Sequence, residues 1–250
     1  MTRFIKPLLT IALSIFTLSG FSQSTLSSAV IKSAQIGQTV TAPAGITLVA
    51  SANKQGDGTS CTTSAIDTTG ANLIVVTVHE YRVSTPATLS DSKGNTWSAA
   101  SPALGDGQTG NAIFYCFSPT VGSGHTFSLV GGAGGGSDTT FNALHVFAFS
   151  GSTSPGLVGT GTSANAANWS SKQPGSISDS SIKVFVSAAT INVAAKTLTI
   201  NSSFTGLNQG YSSAGTGNGA AYKIGSTAEN PTWAITSGLT DGTVSLASFK

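Results

Sequence analysis

Residues 72–82, NLIVVTVHEYR, constrain the fold more than any other stretch of this chain. Ile74, Val76 and Val78 lie on one face of an extended segment and Leu73 and Val75 on the other, so its first half is apolar on both sides. Thr77, His79 and Tyr81 mark where such a strand is expected to emerge from its core. A strand buried on both faces needs a central place in a sheet with something packed above and below it. After a short break, residues 87–90 and 95–99 flank Asp91-Ser92-Lys93-Gly94. There glycine can supply a positive φ and aspartate a local backbone bond, and the pattern predicts a hairpin.

The same order of segments returns about a hundred residues later. Residues 111–118 (NAIFYCFS), 124–130 (GHTFSLV) and 141–150 (FNALHVFAFS) complete the first series, separated by glycine-rich loops. In the second series, 181–189 (SIKVFVSAA) answers the central strand and 197–204 the hairpin region. Residues 219–224 (GAAYKI), 230–236 and 243–249 (TVSLASF) answer the remaining strands. A first strand over 46–52 stands outside this plan, and a short second strand runs through Cys61. A repeat of 70 to 80 residues is expected to bury too little surface alone, so residues 46–250 are read as one domain. The expected fold is all-β, an antiparallel jelly-roll-like β-sandwich built from two similar halves.

Composition agrees with that class. Charged residues make up only 8% of the chain, and the Glu/Lys pairs that support exposed helices are nearly absent. The amino terminus carries Arg3 and Lys6, then the apolar run 8–18 and small residues up to Ser22, which is the pattern of a cleavable signal peptide over residues 1–22. Without that leader nine basic residues face nine acidic ones, so no basic footprint for nucleic acid is present. No stable membrane span is expected after signal removal, and the product is expected to be secreted or at the cell surface. Residues 23–45 are small and polar with scattered apolar positions (Val30, Ile31, Ile36, Val40). They read as a linker, or as an amino-terminal arm that adds a strand to another copy.

The succession NLIVV, TLSDSKGNTW, AIFYCFSPTVGSGHTFSL and LHVFAFSG, followed by SIKVFVSA, AAYKIGS and TVSLASFK, resembles a jelly-roll-type β-sandwich module of secreted bacterial surface proteins and some phage proteins. The resemblance covers residues 46–250 and includes no catalytic signature. It implies adhesion, glycan binding or assembly of an extracellular structure.

Catalytic chemistry finds little purchase. The two glutamates, Glu80 and Glu229, are far apart in sequence, and most of the seven aspartates stand beside Gly or Ser in turn contexts. His79, His125 and His145 have no metal-ligand spacing, and there is no GxSxG elbow. The glycine run at 131–136 lacks the Lys-Ser/Thr ending of a phosphate loop. The chain is therefore expected to be non-enzymatic and to need no cofactor. A calcium ion held by Asp57, Asp106 and Asp138, with Asn111 nearby, is the alternative to having no metal.

Sugar binding would need flat aromatic faces with polar neighbours. Trp97 and Trp233 read as core, whereas Trp169 and Tyr211 sit in polar stretches (NAANWSSKQPG and LNQGYSSAG), and Tyr81 and Arg82 lie at the exit of the central strand. Trp169, Tyr211, Tyr81 and Arg82 are thus the glycan-binding candidates. Cys61 and Cys116, the only cysteines of a chain expected to be exported, are candidates for a disulfide. The expected function is a structural or adhesive subunit whose partners are copies of itself, assembling through the arm. The alternative is a carbohydrate-binding module that takes surface polysaccharide on its loop aromatics.

Overall fold

The computed structural model describes residues 45–250 apart from 57, 82, 86, 106–108, 135–140, 153–156, 160–162, 179–180, 182, 194–195, 202 and 212–215. Residues 1–22, expected to be a signal peptide, and residues 23–44 of the expected linker or arm therefore lie outside the described residues. Among those described there are nineteen strands and no helix. The first series comprises β1 (Thr47–Gln55), β2 (Ser60–Thr62), β3 (Leu73–Tyr81), β4 (Val83–Thr85), β5 (Thr88–Asp91), β6 (Ser98–Gly105), β7 (Thr109–Phe117), β8 (Phe127–Val130), β9 (Ala133–Gly134) and β10 (Ala143–Ser150). The second comprises β11 (Leu157–Gly159), β12 (Ser163–Trp169), β13 (Ser171–Lys172), β14 (Lys183–Ile191), β15 (Leu198–Ile200), β16 (Thr205–Tyr211), β17 (Gly217–Gly225), β18 (Trp233–Ile235) and β19 (Thr240–Phe249).

Every ladder is antiparallel. One large sheet runs β1-β10-β3-β7-β6 and the other β11-β19-β14-β17-β16, with β12 also on β19. Two small sheets run β2-β8-β5 and β13-β18-β15, and β4 pairs with β9. The two series thus follow one plan in their large and three-stranded sheets, although β11 and β12 share the place of β1 and the β4–β9 pair has no described counterpart. Registers make the equivalence residue by residue, since Phe149 pairs with Leu73 as Phe249 does with Val184, and Asn111 pairs with His79 as Asn218 does with Thr190.

Alternation along β3 explains why its run is apolar on both sides. Leu73 and Val75 join Phe147, Phe149, Val184, Val186, Ala247 and Phe249 in a core drawn from both large sheets. Ile74, Val76 and Val78 join Leu144, Val146, Phe127 and Leu129 in a second core, against the small sheet of the same half. The carboxy-terminal half repeats this with Ala189, Ile191, Val244, Leu198 and Trp233. Each half therefore buries a core of its own, contrary to the expectation from its size, and a further core lies between the halves. All of it falls within the compact unit Pro43–Lys250.

In the shared core the bulk is unequally divided. At the positions where the amino-terminal half has Ile113, His145 and Phe147, the register gives the other half Ala220, Ser245 and Ala247. The bulkier face of one sheet is thus set against the leaner face of the other, with Phe147 reaching Tyr222 across the layer at 5.5 Å between ring centroids, and the two together fill it at interior density.

The predicted hairpin is not formed. β5 pairs with β8 in the small sheet, whereas β6 pairs with β7 in the large one, so the turn at Asp91–Gly94 sends the chain from one sheet to the other. Gly94 has the expected positive φ of 74°. The diversion has a local cause in Trp97, whose ring packs on Phe127 with centroids 6.1 Å apart and anchors the chain between the sheets.

Candidate functional site

Among the described residues, the polar end of the layer between the halves gathers two buried histidines with buried Thr, Asn and Ser side chains. His79 does not emerge from the core; it is 1% exposed, as is His145. By strand alternation Thr77, His79 and His145 share the face of Leu73, Val75 and Phe147, which looks toward the other large sheet. The rings of His79 and His145 meet edge to face, centroids 5.0 Å apart.

Cross-ties between the halves run through this end. His79 bonds Thr77 Oγ1 through Nε2 at 2.9 Å and Thr190 Oγ1 through Nδ1 at 2.7 Å. His145 Nε2 lies 2.8 Å from Asn218 Oδ1, an acceptor, so that nitrogen donates and Nδ1 is the bare lone pair of a neutral ring. Asn218 Nδ2 donates to Gln55 Oε1, Asn111 Nδ2 to Thr243 O at 2.8 Å, and Thr243 Oγ1 to Thr109 O at 3.2 Å. Among the described residues, the buried His145 Nδ1, Asn111 Oδ1 and Ser245 Oγ of this layer have no hydrogen-bond partner. Burial holds the His145 pKa down to about 4, and burial followed by the neighbouring His145 holds that of His79 well below the usual range.

On the opposite face of β3, Glu80 is 4% exposed and its Oε1 accepts the Ala87 backbone N–H at 2.8 Å. Burial raises its pKa despite that hydrogen bond. A second polar centre lies in the amino-terminal half around Asp91. Its carboxylate accepts from Lys93 N, Asn95 N, Asn95 Nδ2, Trp97 Nε1 and His125 Nε2 at 2.8 to 3.2 Å. Since His125 Nε2 donates to the carboxylate, its Nδ1 accepts from Thr68 Oγ1 at 2.9 Å. The order hydroxyl, imidazole, carboxylate is that of an activated nucleophile. Thr68 and His125, however, are both wholly buried and Thr68 Oγ1 also accepts Gly122 N, so no substrate reaches the hydroxyl and the relay ties two loops to a turn.

The sequence-predicted residues separate in the structure. Trp169 is not in a loop; it closes β12, is 5% exposed and packs with Ala189, Ile191 and Val244, so its indole has no free face for a sugar. Tyr211 ends β16, an edge strand of the same sheet, and nothing of its side chain is described. Polar edge strands such as SANAANW and TGLNQGY lack the apolar alternation that would have identified them. Tyr81 is half-buried at the end of β3, its ring 5.8 Å from that of Phe141. Arg82, Asp57, Asp106 and Asp138 lie outside the described residues. Asn111 ties the two halves together instead of lining a loop. Among the described residues, no three His, Cys, Asp or Glu side chains are grouped as metal ligands.

Cys61 and Cys116 are free thiols, so the predicted disulfide is not formed. Both point to the amino-terminal half's own core, but Cys61 on β2 lies toward β1 and Cys116 is on β7, with β10 and β3 between. Three inter-strand spacings amount to about 14 Å. A disulfide tolerates roughly 7 Å between Cα atoms.

The residues missed from sequence are Gln55, Thr190, Asn218 and Thr243. For Thr190, Asn218 and Thr243 the only signal was a polar residue at an inward position of a largely buried strand, and Gln55, at the end of the more exposed β1, gave none. Comparison with protein-family models, with curated proteins and with solved structures finds no match.

Proposed function

We propose that this chain is an exported, non-catalytic structural or adhesive subunit of a cell surface or extracellular assembly, built as a jelly-roll-like β-sandwich of two similar halves. It joins copies of itself through residues 23–45. The observation that supports this most directly is the position of β1. It is an outer strand of its sheet, pairs with β10 on one side, and follows the arm immediately in sequence. An outer strand offers a row of backbone donors and acceptors to an extended segment of another molecule, and an arm from a second copy has the length and the intermittent apolar residues to fill it. The internal cross-ties add support, because they spend polar side chains on stiffness between the halves. The sugar-binding alternative loses its main candidate with the burial of Trp169.

The test compares residues 23–250 with residues 46–250 by sedimentation velocity and negative-stain electron microscopy over a range of concentrations. Oligomers or filaments that vanish with the arm support the reading. A monomer in both cases at every concentration removes it.

A further inference from the structure

Assembly through a sheet edge does not require two histidines sealed between the halves. At the equivalent positions the carboxy-terminal half has Thr190 and Ser245, so the plan can be met without imidazole. The histidines add a titratable pair with no escape to water, each ring 1% exposed and the centroids 5.0 Å apart.

The surroundings make a positive charge there hard to bear. A proton arriving on His145 must go to Nδ1, since Nε2 already carries one, and Nδ1 has no partner among the described residues. The new N–H would be a buried donor on a buried cation. Among the described residues, the polar groups facing the pair are neutral: Gln55 of β1, Thr77 of β3, Asn111 of β7, Thr190 of β14, Asn218 of β17, and Thr243 and Ser245 of β19. Tyr81 stands at the mouth against Phe141. Lys54 and Glu80 belong by register to the other face of their sheet, Lys183 shares the outward face with Phe185, and Asp241 accepts the Asn168 backbone N–H. Among the described residues, no carboxylate is placed to stabilise an imidazolium.

We propose that His79 and His145 form an acid-sensitive latch, which on protonation parts the two halves along the layer between the large sheets while each half keeps its own core.

The sign follows from the depressed pKa values. Both rings are harder to protonate in the closed state than when exposed, so their contribution to closure is complete above the ordinary histidine range, near pH 6.5. It is lost as the pH falls from there toward about 4, where His145 titrates. Each histidine contributes up to tenfold in the closing equilibrium per pH unit, and the pair up to a hundredfold. The outer cores lie beyond this layer, one around Phe127 and Leu129 and the other around Trp233 and Ile191.

The aromatic residues separate the outcomes. Trp97 packs in the amino-terminal half's own core, and Trp169 and Trp233 in that of the carboxy-terminal half, whereas Tyr115 and Tyr222 lie against the core between the halves. The full chain is titrated from pH 7 to 3.5 at constant ionic strength, following tryptophan emission, tyrosine near-ultraviolet circular dichroism, binding of an apolar dye and the radius of gyration by X-ray scattering. The expected result is a transition in the last three between about pH 5.5 and 4, with tryptophan emission unchanged. Tryptophan and tyrosine signals moving together, or no transition, overturns the proposal. The double variant His79→Thr, His145→Ser, which installs the other half's residues, should lose the transition or move it down by at least one pH unit; an unchanged midpoint also overturns it. If that variant does not fold, histidine ring NMR on the wild-type chain decides. Two rings still neutral at pH 5.5 are expected, and titration of either near its ordinary value rejects the latch.

Discussion

Asn111 and Asn218 hold the same place in the two halves and reach across the layer between them in opposite directions. Asn111, in register with His79, donates to Thr243 O, and Asn218, in register with Thr190, accepts from His145 Nε2, each at 2.8 Å. Tyr115 and Tyr222 follow the same rule, meeting Phe249 and Phe149 with ring centroids 5.4 Å apart in both cases. Equivalent residues making reciprocal contacts is the geometry of a two-fold interface between identical subunits, here within one chain.

The two asparagines nevertheless differ in what their loss exposes. Asn218→Ala strands both the His145 Nε2–H and the Gln55 Oε1, and is expected to cost about 2–3 kcal/mol. Asn111→Ala loses one hydrogen bond but also removes the unpartnered Oδ1, so about 1 kcal/mol is expected. Urea denaturation of the two variants checks the order, and equal costs would contradict the assignment of these hydrogen bonds.

Asp91 concentrates five donors on one carboxylate next to the turn that changes sheets. Asp91→Ala is expected to lower stability by about 3 kcal/mol, since buried N–H groups lose a charged acceptor. It should also shift Trp97 emission to the red, because the indole N–H loses its partner and the turn loosens. A stability change below 1 kcal/mol with unchanged emission would refute this role.

Glu80 supplies a pH dependence of the opposite kind to the histidines. Its pKa is raised on folding, so the folded state takes up this proton more readily than the unfolded one. Its contribution to stability is fully present below the unfolded glutamate range and is lost as the pH rises through the raised value. Glu80→Gln keeps an acceptor for Ala87 N and removes the buried charge. The variant should be more stable than wild type at pH 8 and gain less at pH 4, as read from melting temperatures at both; a gain independent of pH would count against it.

The thiols should be slow. Burial pushes Cys61 up to about 11 and raises Cys116 as well, which leaves little thiolate at neutral pH. Alkylation at pH 7.5 is expected to require denaturant for Cys61, with Cys116, less buried, reacting first. Intact mass should be the same with and without reductant, and a loss of two hydrogens in the oxidised sample would restore the disulfide.

How much of this was legible in the sequence depends on which force placed each element. The strands of the two series were readable because β3, β10, β14 and β19 bury nearly all of their side chains, and β7 and β17 their first five, and burial on both faces leaves long apolar runs. The edge strands that end at Trp169 and Tyr211 were not, since backbone pairing with a neighbour holds them and their side chains carry no period. The turn at Asp91 was recognised, but not that its two arms join different sheets. That depends on His125, some thirty residues downstream, and on Trp97 meeting Phe127. The histidine pair was invisible for the same reason, because His79 and His145 are brought together only by the pairing of β3 with β10.

The unequal division of bulk across the shared core has a further consequence. Two halves of one plan could face each other in three combinations. Two amino-terminal faces would bring two sets of Ile113, His145 and Phe147 into the layer and crowd it, and two carboxy-terminal faces would bring two sets of Ala220, Ser245 and Ala247 and leave it hollow. The mixed pairing alone fills the space. Synthesis on one polypeptide supplies the two complementary surfaces in equal number, so the gene's own length sets the stoichiometry of its interior.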